Sequence, residues 1–167
     1  RGYGDSDKPP GDPDYATSAK RTMAADQVRL MAELGHHQFS VAGHDRGGRV
    51  AHRLCRDWPQ VVTAAAVLDI VPTAYLFGRT DQAFASAYYH WFFLSQPADL
   101  PERLIGADPA YFIETTLERW SGPDHTFSAD VLAGYVAAFT PEAIHASCED
   151  YRAAATIDLA HDAHDAA

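Results

Sequence analysis

Hydrophobic and polar positions in the first part of the chain alternate between the spacing of helices and that of strands. Apolar residues recur at helical spacing over residues 19–34 and again over residues 46–57. Short apolar runs at 39–43 and 63–71 follow these helices, and such runs are typical of buried strands. The alanines of the second run would also suit a helix. A helix, a strand, a helix and a strand with short links predict an α/β fold with a parallel sheet.

Residue types at the ends of these segments predict where the helices begin and end. Thr17 or Ser18 can cap the start of the first helix, and Gly35 can end it. The side chains expected to face the core are Met23, Leu30, Met31 and Leu34 in the first helix and Val50, Ala51, Leu54 and Cys55 in the second.

The character of the sequence changes after Pro72. Residues 84–94 are rich in aromatic side chains, and no strand pattern follows them. Three further helical patterns lie at 109–120, 128–139 and 141–155. Ser128 and Thr140 stand where N-caps belong, and Pro141 suits a first helical position.

The predicted organisation has three parts. Residues 1–71 form a partial α/β core, residues 72–155 a helical cap inserted after the second visible strand, and residues 156–167 the start of a return to the core. The first 18 residues are loop-like and begin without Met, so we expect the sequence to be an internal piece of a longer chain.

Composition narrows the possible partners. The 13 Lys and Arg residues against 23 Asp and Glu give a net charge of −10, which argues against nucleic acids and anionic membranes. There is no apolar run of about 18 residues, and the first residues lack the pattern of a signal peptide. Two cysteines without a CxxC motif predict neither a disulfide framework nor a metal site. We therefore expect a globular cytoplasmic protein.

A candidate catalytic turn links the first strand to the second helix. Gly43 to Gly47 reads Gly-His-Asp-Arg-Gly, which is the pattern of a nucleophile elbow with Asp45 in place of a serine. Side chains at positions 43 and 47 are expected to collide with neighbouring backbone. A carboxylate here can attack saturated carbon and form an ester that water then hydrolyses. The alternative is that Asp45 only caps the helix.

Five segments carry a resemblance to a known family. They are RGYGDSDKP at 1–9, GHDRGGRVAHRL at 43–54, LDIVPT at 68–73, YYHWFFLSQPADLPERLIG at 88–106 and CEDYRA at 148–153. Together they resemble the fluoroacetate (haloacetate) dehalogenases of the α/β-hydrolase superfamily, and HDRGGR combined with HWFF is the most specific part. The resemblance implies an α/β-hydrolase fold that hydrolyses a small 2-haloacid to glycolate and halide, with no metal or organic cofactor.

The resemblance also implies roles for seven residues. Asp45 would be the nucleophile, and Asp69 the acid that orients the catalytic histidine. Arg46 and Arg49 would bind the substrate carboxylate, as arginine pairs suit a small anion. The cap would supply three donors to the departing halide, namely His90, Trp91 and Tyr151. Homodimers are common among similar enzymes.

The general-base histidine of similar enzymes is expected beyond residue 167, and the His-Gly oxyanion strand before residue 1. None of the nine histidines matches that base, because His44 belongs to the elbow and His161 and His164 lie on a polar terminal segment expected to be solvated. We therefore expect the chain by itself to be alkylated at Asp45 without hydrolysing the ester, and to have low independent stability.

Other interpretations remain open at this point. Haloalkane dehalogenases usually have Trp after the nucleophile, so Arg46 favours a charged substrate. An epoxide hydrolase would share the Asp nucleophile but needs two cap tyrosines, and five tyrosines leave that open: Tyr75, Tyr88, Tyr89, Tyr111 and Tyr135. A third possibility is a catalytically incomplete relative that acts as a binding module. The arginines could instead be solvated or pair with Asp57, and the cap aromatics could serve core packing alone.

Overall fold

The computed structural model describes residues 1–166 and divides into two compact units. The helical unit comprises residues 1–10 and 90–152, and the sheet unit comprises residues 11–89 and those from 153 to the last described residue. Residues 1–10 group with the helices and residues 72–89 with the sheet. The organisation into core, cap and return segment stays a prediction. Ala167, the last residue of the expected return segment, lies outside the described residues.

The sheet unit alternates helices and strands. Its elements are a 3₁₀ turn at Ala16–Ser18, α1 at Lys20–Glu33, β1 at Phe39–His44, α2 at Arg46–Asp57, β2 at Val62–Leu68, α3 at Thr73–Phe77, α4 at Gln82–Ala87 and α10 at Ile157–Asp165. The helices α5 to α9 span Tyr89–Leu94, Leu100–Ala107, Pro109–Trp120, Ala129–Ala138 and Pro141–Ala155. Among residues 1–166, no helix is long and apolar enough to cross a membrane.

The predicted parallel sheet is confirmed. The two strands pair in parallel from Ser40 opposite Ala64 to His44 opposite Leu68, with an irregularity between Phe39 and Ser40. The helix α2 connects them and packs against both strands, and α1 packs against α2. Because the strands run parallel, their carboxyl ends meet at one edge, where β1 leads into α2.

The expectation that both strands are buried is wrong for the described residues. Every residue of β2 from Thr63 to Leu68 is exposed, and β1 is only partly covered. The physical reason is that few elements cover the sheet: among the described residues it has two strands, and α2 packs against them. Leu30 and Leu34, expected in the core, are likewise exposed. An apolar run therefore indicated a strand but not its burial.

The start of α1 is stabilised differently from the prediction. Neither Thr17 nor Ser18 caps it, and no local side chain makes a cap hydrogen bond. Instead, the backbone N–H of Lys20 donates to the Asp158 carboxylate of α10 at 2.9 Å. The Lys20 ammonium lies 3.5 Å from the same carboxylate, and both side chains are buried. A partner 138 residues away cannot be read from a local capping pattern.

Other predicted helix ends are confirmed. Gly35 follows α1 with φ +83°, and its N–H donates to the Ala32 carbonyl at 3.0 Å, as in a Schellman motif. Thr140 caps α9 by accepting the N–H of Ala143 at 3.3 Å. Ser128 occupies the N-cap position of α8, although its side chain makes no cap hydrogen bond.

The helical unit has its own apolar core. The buried members are Leu94, Ile105, Ile144 and Cys148, and Phe93, Phe112, Phe139 and Tyr151 pack against them. The rings of Phe112 and Phe139 stack with their centroids 6.0 Å apart, which joins α7 to the segment after α8. Burial raises the pKa of Cys148 to about 12. The predicted helices over 109–120, 128–139 and 141–155 are thus confirmed and packed together.

A buried arginine ties α6 to α9. Arg152 donates to both carboxylate oxygens of Glu102 at 2.6 and 2.9 Å, and to Glu149 at 2.8 Å. Burial acts to raise the pKa of Glu102, but the hydrogen bonds from Arg152 and His145 hold it below its ordinary value. This network fixes the part of α9 that carries Tyr151.

Candidate active site

The turn between β1 and α2 holds Asp45 in a strained conformation. Asp45 has φ 48° and ψ −120°, which is uncommon for a residue with a side chain. It occupies the N-cap position of α2, yet its side chain makes no capping hydrogen bond. Helix capping therefore does not explain this aspartate. Strain of this kind concentrates at functional sites and is typical of a nucleophile elbow.

Glycine is required at two positions around this turn. A Cβ atom at Gly43 would lie 2.4 Å from the Gly47 carbonyl oxygen and 2.6 Å from its carbon. The expected collision at position 43 is confirmed, but the one at Gly47 is wrong, since a Cβ there would meet open space. The second close approach is at Gly48, where a Cβ would lie 2.5 Å from Cγ2 of Ile70. The chain after β2 therefore crosses closely over the first turn of α2.

Asp69 lies at the same sheet edge as Asp45. Each follows the last residue of its strand, and the Asp45 N–H donates to the Leu68 carbonyl at 3.2 Å. Asp69 also has a positive φ, 54°, and its carboxylate is exposed. Nε2 of His44 lies 3.9 Å from Oδ2 of Asp69, a pairing the sequence did not indicate. Both side chains are largely exposed, so this pair contributes little to stability.

Arg46 and Arg49 occupy the first turn of α2. Arg46 is half-buried, whereas Arg49 is only 3 % exposed. Nη1 of Arg49 donates to the hydroxyl of Thr73 at 2.5 Å. The interpretation of Arg49 as part of a solvated helix face is therefore wrong, and Asp57 is hydrogen-bonded by other arginines, Arg21 and Arg53. Two cations beside a helix N-terminus can bind a small anion.

Thr73 is a part of this site that sequence reasoning missed. Its hydroxyl contacts Arg49, and the residue is buried. The one signal was its place in the segment LDIVPT at 68–73, which carries the family resemblance. A threonine at the start of a short helix has no pattern that would reveal a partner 24 residues earlier.

The three predicted halide donors form a cluster in the helical unit. His90 and Trp91 on α5 are buried, and Tyr151 on α9 is half-buried. The ring of Tyr151 lies edge-on to both, with centroids 5.8 Å from His90 and 6.4 Å from Trp91. Trp120 at the end of α7, which the sequence did not single out, has its ring 4.8 Å from His90. Imidazole, indole and phenol groups in one cluster offer several donors to an anion.

The candidate residues therefore fall into two clusters, one in each unit. The sheet unit holds Asp45, Asp69 and the two arginines, and the helical unit holds the aromatic donors. Within residues 1–166, no group of three or more His, Cys, Asp or Glu residues is placed to hold a metal ion.

A residue held in a strained conformation at a sharp strand–helix turn of a parallel sheet is the arrangement of the nucleophile elbow in α/β hydrolases. The family model described as the alpha/beta hydrolase fold matches residues 1–144. The chain belongs to this family, and the predicted fold class is confirmed.

Individual relatives agree with this assignment. The chain is 50% identical over 162 residues to a fluoroacetate dehalogenase of Burkholderia sp., which covers 95% of the chain and 53% of that relative. It is 33% identical over 156 residues to a soluble epoxide hydrolase of Corynebacterium sp. strain C12, covering 90% of the chain and 52% of the relative. A crystal structure from Nostoc sp. PCC 7120, classed with the α/β hydrolases, is similar at 55% identity and a TM-score of 0.94 over 99% of this chain and 57% of that one. The resemblance to fluoroacetate dehalogenases is thus confirmed, and the chain spans about half the length of the curated relatives it matches.

Proposed function

We propose that the whole protein hydrolyses the carbon–halogen bond of a small 2-haloacid such as fluoroacetate, giving glycolate and halide. The observation that carries this proposal is the elbow itself, where a strained aspartate, Asp45, is followed directly by Arg46 and then by the buried Arg49. The 50% identity to a protein named fluoroacetate dehalogenase supports the substrate class.

The proposed first step is a displacement at carbon. The Asp45 carboxylate oxygen forms a bond to the halogen-bearing carbon, and the carbon–halogen bond breaks with its electron pair leaving as halide. Arg46 and Arg49 bind the substrate carboxylate and so orient the carbon for attack. The resemblance implies that hydrogen bonds from His90, Trp91 and Tyr151 stabilise the halide as its charge develops.

The second step regenerates the enzyme. Water adds to the carbonyl carbon of the Asp45 ester, the bond from that carbon to the glycolate oxygen breaks, and one proton is released. The resemblance implies a histidine as the base for this water, with Asp69 orienting it and stabilising its cation. The net reaction converts haloacetate and water to glycolate, halide and a proton.

The experiment is to measure halide release from fluoroacetate and chloroacetate by the full-length gene product. Asp45→Asn should abolish release, and Arg49→Ala should lower kcat/KM by about a hundredfold, the equivalent of about 2.7 kcal/mol for losing a buried charged contact. Arg56→Ala is the matched control, since Arg56 lies on the same helix but near its other end, where it is exposed and contacts Asp165 instead. Haloacetate turnover that survives loss of both Arg46 and Arg49 would disprove the carboxylate clamp.

An epoxide hydrolase is the second candidate. The 33% identity over 90% of the chain to a soluble epoxide hydrolase supports it, and the Asp nucleophile would be shared. The charge of the substrate distinguishes the two functions, because a neutral epoxide has no carboxylate for the arginines to bind. Efficient hydrolysis of styrene oxide that is unaffected by Arg49→Ala, with no halide release from haloacids, would establish this candidate instead.

A binding module without catalysis is the remaining interpretation. The strain at Asp45 argues against it, because strained conformations persist where function requires them. Covalent labelling by chloroacetate, followed by mass spectrometry of the intact protein, separates the two. In samples quenched with acid during turnover, an enzyme that forms the ester carries the added mass of the substrate less halide, whereas a binding module gains nothing.

A further inference from the structure

A hydrogen bond between buried side chains links the first turn of α2 to the start of α3. Nη1 of Arg49 donates to Oγ1 of Thr73 at 2.5 Å. Arg49 is 3 % exposed and Thr73 is 5 % exposed, so the bond is shielded from water. A hydrogen bond to a charged group in such surroundings is stronger and more directional than one at the surface.

The backbone between β2 and α3 brings Thr73 to this position. Ile70 packs so closely on α2 that a Cβ at Gly48 would lie 2.5 Å from its Cγ2 atom. Pro72, at the N-cap position of α3, then sets the backbone from which Thr73 begins that helix. One short segment therefore carries the Asp69 carboxylate at its start and a hydrogen-bond partner of Arg49 at its end.

The chemistry of the partner determines what the bond can do. Arg53, one helical turn further along α2, is equally buried and pairs with the carboxylates of Asp57, Asp162 and Asp165. Carboxylates both orient a guanidinium and neutralise its charge. A hydroxyl such as that of Thr73 accepts the hydrogen bond of a guanidinium without itself contributing a negative charge. Bidentate binding of a carboxylate depends on the plane of the guanidinium, so a contact that holds this plane is placed to influence anion recognition.

We propose that Thr73 is a positioning residue that fixes the plane of the Arg49 guanidinium for the substrate carboxylate. The inference rests on the proposed function for its substrate, but its structural part can be measured without turnover. It assigns Thr73 a role in selecting charged over neutral substrates, exerted through Arg49.

The test compares Thr73→Val, which removes the hydroxyl at nearly constant volume, with Thr73→Ser, which restores it. With the full-length protein, Thr73→Val should raise KM for chloroacetate about tenfold, equal to about 1.4 kcal/mol, with kcat within about twofold. KM for uncharged chloroacetamide should not change, and Thr73→Ser should behave as the wild type. Thr63→Val is the matched control, because Thr63 is exposed near the start of β2, whereas Thr73 follows the end of that strand.

Arginine side-chain NMR supplies the measurement that does not depend on activity. The Nη signals of Arg49, assigned with an Arg49→Lys variant, should report slow guanidinium rotation in the wild type and in Thr73→Ser, and faster rotation in Thr73→Val. Unchanged rotation in Thr73→Val overturns the proposal, as does faster rotation with an unchanged chloroacetate KM. If the wild type turns over no haloacid, the proposed function fails, and the NMR comparison alone then decides whether Thr73 positions Arg49.

Discussion

Two glycines in one turn should respond in opposite ways to the same added methyl group. In Gly43→Ala, the new Cβ would lie 2.4 and 2.6 Å from the carbonyl oxygen and carbon of Gly47, and 2.7 Å from Cα of Gly48. All three atoms belong to the backbone and cannot move aside as a side-chain end can. In Gly47→Ala, the Cβ meets nothing within 4 Å.

The magnitudes follow from these contacts. Overpacking costs about 1 to 3 kcal/mol, and a backbone clash on this scale belongs at the upper end, so Gly43→Ala should lower the free energy of unfolding by about 3 kcal/mol. Gly47 lies within α2, where replacing glycine with alanine stabilises a helix by about 0.5 to 1 kcal/mol. The two variants should therefore differ by about 4 kcal/mol, although they lie four positions apart.

Equilibrium urea denaturation, followed by circular dichroism, measures both values in one assay. The urea concentration at the midpoint of unfolding should fall in Gly43→Ala and rise slightly in Gly47→Ala. The dependence of the free energy of unfolding on urea concentration should stay unchanged if the transition stays cooperative. Equal stabilities for the two variants would refute the geometry of the turn. So would a Gly47→Ala variant that is the less stable of the two.

Three further outcomes follow from buried groups. Asp158→Ala should lower the free energy of unfolding by about 3 kcal/mol, because it removes the buried carboxylate that faces the Lys20 ammonium. Urea denaturation measures this change, and a decrease no larger than that of an exposed Asp→Ala variant would contradict it. Burial lowers the pKa of His52 and His161, so their contribution to stability is complete above about pH 6.5 and is lost as the pH falls through the lowered values. The midpoint of thermal denaturation should therefore decline as the pH falls below about 6.5, and the double variant His52→Gln, His161→Gln should flatten this decline. The Cys148 thiol, with its pKa raised by burial to about 12, should resist iodoacetamide at pH 8 until the protein unfolds, and mass spectrometry showing rapid labelling of the folded state would oppose this.

Local pattern was sufficient where the determinants are local. The helix α2 begins and ends at Arg46 and Asp57 as predicted, and Gly35 ends α1, because turn residues and helical spacing are properties of adjacent positions. The parallel pairing of β1 and β2 also followed from the order of elements. The burial of the strands could not be predicted in this way, since the exposure of β2 depends on what packs against it.

The candidate site likewise contains residues that a local motif identifies and residues that it does not. Asp45 and the two arginines lie in one contiguous turn, so a motif could identify them. The partners that hold that turn in place could not be found locally: Thr73 reaches Arg49 from 24 residues away, and Ile70 packs on Gly48 only because β2 lies beside β1. The sequence also predicted a close approach at Gly47, whereas the structure has it at Gly48. Spacing alone does not tell at which glycine a side chain would meet a neighbouring atom.

The central claim is that the Asp45 carboxylate attacks the carbon that bears the halogen. The most direct measurement is to incubate the chain with chloroacetate, digest it at acidic pH and map the modified residue by tandem mass spectrometry. The expected result is a hydroxylamine-sensitive ester on the peptide that contains Asp45, absent in Asp45→Asn and diminished in Arg49→Ala. Modification confined to other residues, or an equal adduct in Asp45→Asn, would contradict the claim.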